Sequence, residues 1–392
     1  MEQYLKLFDF SKKIDYKVEV LAGLTVAMTM IPESLSFAIL AGFPPLVGLY
    51  AAFIMGLVTA VFGGRPGMVS GGAGATAVVL IALMQSHGLE YVFAAVALAG
   101  ILQILVGIFK LGKFIRLVPQ PVMYGFVNGL AVIIFMSQLD QFKTVVNGEL
   151  VWLTGTALWT MLGLVSLTIA IIIFFPKITK AVPPSLVAII VVFGLVLGLG
   201  IDTKIVRDIA AVSGGLPPFH IPDVPLTLEM LQVIFPYALI MAGVGLTESL
   251  LTLNLVDEIT GTRGQGNREC VAQGSANLLN GFFFGMGGCA MIAQTLVNLS
   301  AGARARLAGI IAALAILTII LIGAPVIERV PMAALVGVMV MVAIGTFEWI
   351  SFRIINKMPK QDVFVGILVA AITIWLHNLA LAVLIGVIIS AL

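Results

Sequence analysis

Two acidic residues, Glu33 and Glu248, lie well inside long apolar runs of the sequence, and Ser and Leu follow each of them. A carboxylate at membrane depth is energetically costly, so such a residue is usually functional. Thr252 lies four residues after Glu248, which puts both side chains on one face of a helix. Their oxygens suit a hard cation such as Na⁺. Alternatively, either carboxyl group takes up a proton, because desolvation favours the neutral acid. A third possibility is a structural role, in which the carboxyl group forms a hydrogen bond with a neighbouring backbone group.

Two glycine-rich stretches each begin a short apolar segment. Residues 71–76 read Gly-Gly-Ala-Gly-Ala-Thr, and residues 285–290 read Gly-Met-Gly-Gly-Cys-Ala. A helix start carries about half a positive charge and several free N–H donors, and glycine lets a ligand approach the backbone. Two such starts facing each other would bind an anion without a cationic side chain. The alternative is that these glycines only allow tight helix packing.

Apolar residues supply 60% of the 392 residues and charged residues only 10%. A soluble domain has about a quarter charged residues, so this composition indicates a membrane protein. The net charge of +2 gives no reason to expect a nucleic-acid partner. Many apolar runs reach the roughly 20 residues that a membrane helix needs. We therefore predict an all-α polytopic membrane protein.

We count fourteen hydrophobic segments, joined by one long loop at 201–229 and otherwise by short connections. They are 20–41, 45–62, 69–85, 91–109, 119–139, 157–175, 183–200, 231–255, 269–284, 288–302, 307–323, 331–347, 362–376 and 378–392. With the N-terminus inside, seventeen of the 21 Lys and Arg residues fall on the cytoplasmic side. This bias predicts that both termini are cytoplasmic.

Three short motifs recur at nearly one spacing along the chain. Residues 32–35 resemble 247–250, residues 72–75 resemble 287–290, and Val118-Pro119 resembles Val330-Pro331. The first two pairs are 215 residues apart and the third is 212 residues apart. Together they predict a seven-plus-seven repeat. Because seven is odd, the second copy is inverted in the membrane, as in many secondary transporters.

The remaining polar residues give weaker signals. Cys270 and Cys289 are interpreted as small buried residues, and no metal spacing or catalytic constellation is present in the sequence. Most polar residues inside the spans are expected to tie helices together. These residues are Gln103, Asn128, Gln138, Gln273, Asn277, Gln294, Thr295 and Asn298. Gln294 and Thr295 are exceptions, since they lie about one turn beyond the second glycine-rich stretch.

At these residues the sequence resembles the sulfate permease (SulP) family over nearly its whole length. The stretches that carry the resemblance are 31–38, 41–45, 48–50, 248–259 and 294–298. The resemblance implies a core domain of spans 1–4 and 8–11 and a gate domain of spans 5–7 and 12–14. On this basis the chain divides into a cytoplasmic segment 1–19, core halves 20–117 and 230–325, and gate halves 118–229 and 326–392.

The resemblance also implies the positions of the ligands. The anion would lie between the starts of spans 3 and 10, at Ala73, Gly74, Ala75, Ala290, Met291, Ile292 and Gln294. In sodium-coupled bicarbonate members an acidic residue and a Thr in span 8 hold Na⁺, and Glu248 and Thr252 match them, with Glu in place of Asp. In proton-coupled members a span-1 glutamate matches Glu33.

The sequence departs from the family pattern in two places. Many members carry Arg where Gln294 stands, which puts in question the transport of a divalent anion without a cation. Most members continue into a cytoplasmic STAS domain, whereas this sequence ends at Leu392, directly after the last predicted span.

We therefore expect a secondary transporter of a small inorganic anion, of the bicarbonate or sulfate class, that works by alternating access with Na⁺ or H⁺ symport. A proton-coupled dicarboxylate transporter, an anion exchanger and an anion channel stay open as alternatives. A nucleobase–proton symporter is disfavoured because span 10 has no acidic residue. We expect a homodimer in the bacterial inner membrane and no cofactor other than a bound Na⁺.

Overall fold

The fold is built mainly of helices. The computed structural model describes residues 14–113, 120–146, 149–179, 182–208, 214–225, 227–354, 359–376, 382, 385–386 and 388–390. Residues 1–13, the Val118-Pro119 motif and most of the predicted last span therefore lie outside the described residues.

The first half of the chain begins with two long helices and then a short strand and a short helix. Its elements are α1 (Tyr16–Leu40), α2 (Pro45–Phe62), β1 (Ser70–Gly71), α3 (Gly74–Val79), α4 (Ile81–His87), α5 (Leu89–Ile108), α6 (Gln120–Leu139), β2 (Lys143–Val146), β3 (Glu149–Trp152), α7 (Gly155–Phe174) and α8 (Pro184–Leu199). Short 3₁₀ turns at Leu111–Lys113, Asp140–Phe142, Phe175–Lys177 and Val206–Asp208 complete it.

The second half opens with the same order of two long helices, a short strand and a short helix. Its elements are α9 (Leu228–Thr260), α10 (Gly266–Phe282), β4 (Cys289–Ala290), α11 (Ile292–Ser300), α12 (Leu307–Ile322), α13 (Ala324–Ile327), α14 (Met332–Thr346), α15 (Trp349–Ile354) and α16 (Lys360–Leu376). This order agrees with a repeat, but the inverted topology stays a prediction.

Six of the described helical stretches are long and apolar enough to cross a membrane. They are Tyr16–Leu40, Pro45–Phe62, Leu89–Ile108, Pro121–Phe142, Gly155–Lys177 and Leu228–Thr260. Shorter apolar helices lie at Pro184–Leu199, Leu307–Ile322 and Met332–Thr346. These helices make the chain a polytopic membrane protein, whereas the count of fourteen spans stays a prediction.

The expectation of a purely helical chain is wrong in detail, because the structure contains two short antiparallel sheets. β1 pairs with β4, and β2 pairs with β3 in a hairpin. Predicted segments 69–85 and 288–302 are therefore not single helices, since each contains a strand followed by short helix. Their glycines weaken helix formation and leave the backbone free to pair.

The chain forms two compact units. The first contains residues 1–117 and 214–322, and the second contains residues 118–213 and 323–392. In the first unit α10 packs on α5, α2 and α9, while α1 packs on α12 and α2. In the second unit α16 packs on α6, and α14 packs on α7 and α6.

Helices α5 and α10 cross at Gly100 and Gly274. A β-carbon built on either glycine would lie 2.6 Å from the carbonyl oxygen of the other. Small residues at such a crossing allow the two backbones to approach closely. This contact fixes α10, which supplies several of the side chains described below.

Candidate functional site

The glycine-rich stretches meet as an antiparallel pair of strands. Ser70 lies opposite Ala290, and Gly71 lies opposite Cys289. The pair is extended by the amide of Met291, which donates to the carbonyl of Val69 at 2.9 Å. Because the strands run in opposite directions, the chain leaves the pair at opposite ends and enters α3 on one side and α11 on the other.

The predicted anion ligands Ala73, Gly74 and Ala75 lie at the start of α3. Ala73 is the N-cap residue, and α3 begins at Gly74. The amide of Ala77 makes the first intrahelical bond, to Ala73 at 3.0 Å. The backbone amides before Ala77 therefore come ahead of the helical hydrogen-bond ladder. After the bend at Leu80, α4 continues the segment to His87.

The other predicted ligands lie in β4 and at the start of α11. Ala290 belongs to β4, Met291 is the N-cap of α11, and Ile292 is its first residue. The amide of Thr295 donates to Met291 at 3.0 Å and begins the helical ladder. The structure thus brings the two helix starts onto one strand pair, while their role as anion ligands stays a prediction.

The close approach of β1 and β4 requires glycine at position 288, directly before β4. A β-carbon there would overlap the backbone carbonyl of Gly71. At Gly74 a β-carbon would overlap the ring of Phe37, which extends from α1. A side chain such as Phe37 can rotate away, whereas the backbone of Gly71 cannot. Replacement of Gly288 is therefore less tolerable than replacement of Gly74.

Glu33 lies in α1 and contacts the second glycine-rich half of the site. The Nε2 group of Gln294, in the first turn of α11, donates a hydrogen bond to Oε2 of Glu33. Gln294 is buried, and its Oε1 atom has no hydrogen-bond partner among the described residues. The sequence singled out both residues, but it did not indicate that they form a pair.

Glu248 lies in α9 and contacts β4. The thiol of Cys289 donates to Oε2 of Glu248 at 2.9 Å. Thr252 is fully buried one turn later, and its hydroxyl group donates to the backbone carbonyl of Glu248 at 2.8 Å. The hydroxyl proton thereby points to the backbone, and the lone pairs of the Thr252 oxygen can act as acceptors. Their role as Na⁺ ligands stays a prediction.

Further buried side chains hold the two strands in place. The amide of Ala290 donates to Oγ of Ser249 at 3.1 Å. The Oδ1 atom of Asn277 accepts from the amide of Gly288 at 2.8 Å, and its Nδ2 group donates to the carbonyl of Gly288 at 3.0 Å. Asn277 Nδ2 also donates to Gln103 at 2.8 Å. These bonds agree with the interpretation that most polar residues in the spans tie helices together.

Arg65 lies in the connection between α2 and β1, near the end of α9. Its guanidinium group forms an ion pair with Asp257 at 3.2 Å and donates to Val256 at 3.2 Å and to Thr262 at 2.8 Å. Burial lowers the pKa of Arg65, and the charge of Asp257 raises it. The cation complements the negative end of the α9 dipole.

Arg306 has the same relation to the end of α2. It donates to Ala60 at 2.9 Å and to Gly63 at 2.7 Å. Burial and the neighbouring charge of Arg268 lower the pKa of Arg306 to about 10, against the opposing effect of Glu269. The group therefore stays cationic at neutral pH and complements the negative end of the α2 dipole.

Sequence reasoning missed the thiol of Cys289 and two buried acidic residues. Glu269 accepts from the amide of Gly64 at 2.7 Å and from Gln273 at 2.7 Å. Glu19, the last residue of the predicted segment 1–19, lies in α1, is buried, and accepts from three backbone amides near the start of α12. For Glu269 and Glu19 the sequence offers one signal of burial, which is that each lies at the end of an apolar run.

These features define a polytopic membrane protein in which two broken helical segments cross on a short strand pair. The family profile described as "Sulfate permease family" matches residues 16–369. The chain belongs to the sulfate permease family. As a member it is a multi-pass membrane anion transporter and not an enzyme.

Two relatives show the range of the match. YbaR of Bacillus subtilis (strain 168), named as a candidate sulfate transporter, is 43% identical over 373 residues, which are 95% of this chain and 76% of that protein. The bicarbonate transporter BicA of Picosynechococcus sp. is 30% identical over 399 residues, which cover 95% of this chain and 69% of BicA.

Solved structures share the fold. The transmembrane domain of a cyanobacterium bicarbonate transporter, BicA, superposes with a TM-score of 0.81 at 28% identity and covers 94% of this chain and 98% of that one. The murine anion transporter Slc26a9, in the inward-facing state, gives a TM-score of 0.82 at 17% identity over 100% of this chain and 70% of its own. The second match supports the fold alone.

Proposed function

We propose that the protein is a secondary active transporter of a small inorganic anion, of the bicarbonate or sulfate class, coupled to the symport of Na⁺ or H⁺. One observation carries this proposal. The β1–β4 pair joins the starts of α3 and α11, and Glu33 and Glu248 both contact the stretch 289–294 beside it. An anion-attracting backbone and two carboxylates therefore share one short segment.

The charges at this segment favour a coupling cation. Two helix starts together contribute about one positive charge. One ionised carboxylate cancels that charge, so an added anion would leave the site negative in a medium where charge is poorly screened. A Na⁺ ion near Glu248, or a proton on Glu248 or Glu33, restores the balance.

Glu248 and Thr252 are the proposed Na⁺ ligands. A carboxylate and a hydroxyl oxygen suit a hard cation, and their separation of one helical turn allows both to reach one ion. Glu33 is the proposed alternative for a proton. Its contact with Gln294 joins α1 to the first turn of α11, where the anion is proposed to bind.

The relatives support both anion classes. Proteins named as sulfate and as bicarbonate transporters match 95% of the chain. Gln294 supplies no positive charge to the anion, in contrast to an arginine at this place. A cation is therefore more important here for a divalent than for a monovalent anion, which favours bicarbonate when the cation gradient is small.

We further propose alternating access, with spans 1–4 and 8–11 as a core that carries the site and the remaining spans as a gate. A homodimer in the bacterial inner membrane, with both termini in the cytoplasm, completes the proposal. Labelling of cysteines introduced at residues 154 and 261 from either side of the membrane tests the orientation.

Uptake of labelled bicarbonate, sulfate and fumarate into proteoliposomes tests the function. The full chain is reconstituted, and the Na⁺ and pH gradients are imposed separately. We expect saturable accumulation of an inorganic anion that depends on one of the two gradients. Accumulation of fumarate alone would contradict the proposed anion class, and non-saturating flux without accumulation would indicate a channel. Exchange that needs an internal anion and no cation gradient would contradict symport.

A further inference from the structure

Cys289 is a fully buried residue of β4 whose thiol points to an acidic side chain. It lies opposite Gly71 in the strand pair, and its Sγ donates to Oε2 of Glu248 at 2.9 Å. At the next residue of β4 the amide of Ala290 donates to Oγ of Ser249 at 3.1 Å. Two consecutive side chains of α9 therefore hold two consecutive residues of the strand.

We propose that Cys289 is a positioning residue for cation coupling: its thiol orients the carboxylate of Glu248 for the coupling cation and links that carboxylate to β4. The inference rests on the proposed function. The thiol is important because its hydrogen bond joins Glu248, the proposed cation ligand, directly to β4. This strand leads into the proposed anion site.

The direction of the hydrogen bond makes this contact sensitive to a bound cation. An ionised carboxylate can only accept hydrogen bonds, so the thiol must be the donor. The thiol holds Oε2 and thereby orders the carboxylate, and a cation or proton at Oε1 in turn holds Oε2 toward the thiol, so that each interaction strengthens the other. By linkage, a thiol bond that is altered by the cation must in turn alter the affinity for that cation.

The second cysteine provides a matched control. Cys270 is also fully buried in the same unit, but it belongs to α10 and packs in a cluster with Leu246 and Leu250. Replacing Cys270 removes a buried thiol of the same size without touching the strand pair. A general effect of losing a buried thiol should therefore appear in both variants.

Uptake by the full chain in proteoliposomes gives the first test. Anion uptake is measured for Cys289→Ala, Cys289→Ser and Cys270→Ala while Na⁺ concentration and pH are varied. Cys289→Ala should raise the half-saturating concentration of the coupling cation by roughly threefold to tenfold, the range of one hydrogen bond. The KM for the anion at saturating cation should change less. Cys289→Ser keeps a donor and should restore most of the affinity.

Infrared difference spectra give a second test that does not depend on transport. The Cys270→Ala protein contains one thiol, so its S–H stretching band reports Cys289 alone. Adding the coupling cation should shift this band to the position of a stronger hydrogen bond. The same addition to Cys270→Ala/Glu248→Gln should leave the band unchanged.

The outcomes separate this inference from the proposed function. Wild-type uptake that ignores both Na⁺ and pH overturns the symport proposal and this inference with it. Wild-type uptake that depends on a cation, with equal half-saturation in Cys289→Ala and Cys270→Ala, overturns only the role of Cys289. If Cys289→Ala does not fold, the Cys289→Ser variant and the infrared band decide, and an unshifted band contradicts the inference.

Discussion

The amide of Gln294 donates a hydrogen bond to the carboxylate of Glu33, although the two residues are 261 positions apart in the chain. Glu33 lies in the second half of α1, and Gln294 lies in the first turn of α11. The proposed anion site and the first of the two intramembrane carboxylates are therefore in direct contact. A change of charge on Glu33 must act on the start of α11 through this side chain.

Exchanging the two side chains tests whether the contact matters as a pair. We expect Glu33→Gln and Gln294→Glu each to reduce coupled uptake at least tenfold, because one variant removes the carboxylate and the other brings two together. The double variant Glu33→Gln/Gln294→Glu keeps one carboxylate and one amide and should recover part of the rate. Uptake rates of all four proteins form a double-mutant cycle.

The same cycle contains its own control for misfolding. Each protein is compared for yield and for thermal unfolding before uptake is measured. If the double variant is no better than the worse single variant, while all four proteins unfold at similar temperatures, the pair has no coupled role.

Glu248→Gln should abolish the dependence of uptake on the coupling cation. The amide keeps the shape of the side chain and can still accept from Cys289, but it has no charge to hold a cation. We expect a residual rate that responds little to Na⁺ or pH. Glu258→Gln is the matched control, because Glu258 is an exposed acidic residue on the same helix. Cation-dependent uptake by Glu248→Gln at the wild-type level would exclude Glu248 as the coupling residue.

The sequence predicts the broad features of this site because they depend on local composition. The sequence itself shows the apolar runs and the two glycine-rich stretches. It also shows two carboxylates inside apolar runs, at a spacing of 215 residues. Helix starts follow from glycine and from the interrupted apolar pattern. Helices α3 and α11 begin at Gly74 and Ile292, five and four residues after the predicted starts at 69 and 288, because a short strand precedes each helix.

The partners of these residues could not be predicted, because they depend on how distant segments approach. The sequence indicates only that Cys289 is a small buried residue, and burial alone does not reveal its hydrogen bond to Glu248. The strands β1 and β4 are two residues long, too short for an alternating pattern to appear. Glu19 lies at the border between segment 1–19 and the first apolar run, and the local sequence gives no sign of its three partners, which lie almost 300 residues later.

Gly288→Ala should eliminate transport by separating the two strands. The added methyl group would overlap the backbone carbonyl of Gly71, which cannot rotate away, so β4 must move and the two helix starts with it. We expect uptake to fall to background. Gly243→Ala is the control, because no atom outside its own helix lies within 4 Å of the position that its β-carbon would take.

In a helix alanine is more favourable than glycine by about 1 kcal/mol, so Gly243→Ala should not reduce stability. Both proteins are compared in anion uptake and in thermal unfolding. Normal uptake by Gly288→Ala would show that the close strand pair is not required for transport.

Glu19→Gln should lower the stability of the first compact unit without changing the charges at the proposed site. Oε1 of Glu19 accepts from the amides of Arg304 and Ala305 at 2.7 and 2.8 Å, and Oε2 accepts from the amide of Ala308 at 2.9 Å. Glutamine keeps one accepting oxygen but turns an NH₂ group toward another donor. Hydrogen bonds to charged groups contribute about 1.5–3 kcal/mol each, so we expect a loss of that order.

Thermal unfolding of the purified protein measures this loss as a lower Tm. Glu229→Gln is the control, because Glu229 is an exposed acidic residue in the first turn of α9 and interacts mainly with the helix dipole. Its removal should cost less than about 1 kcal/mol. Equal Tm values for the two variants would mean that the buried carboxylate contributes no more than an exposed one, because solvent or neighbouring groups replace its three hydrogen bonds.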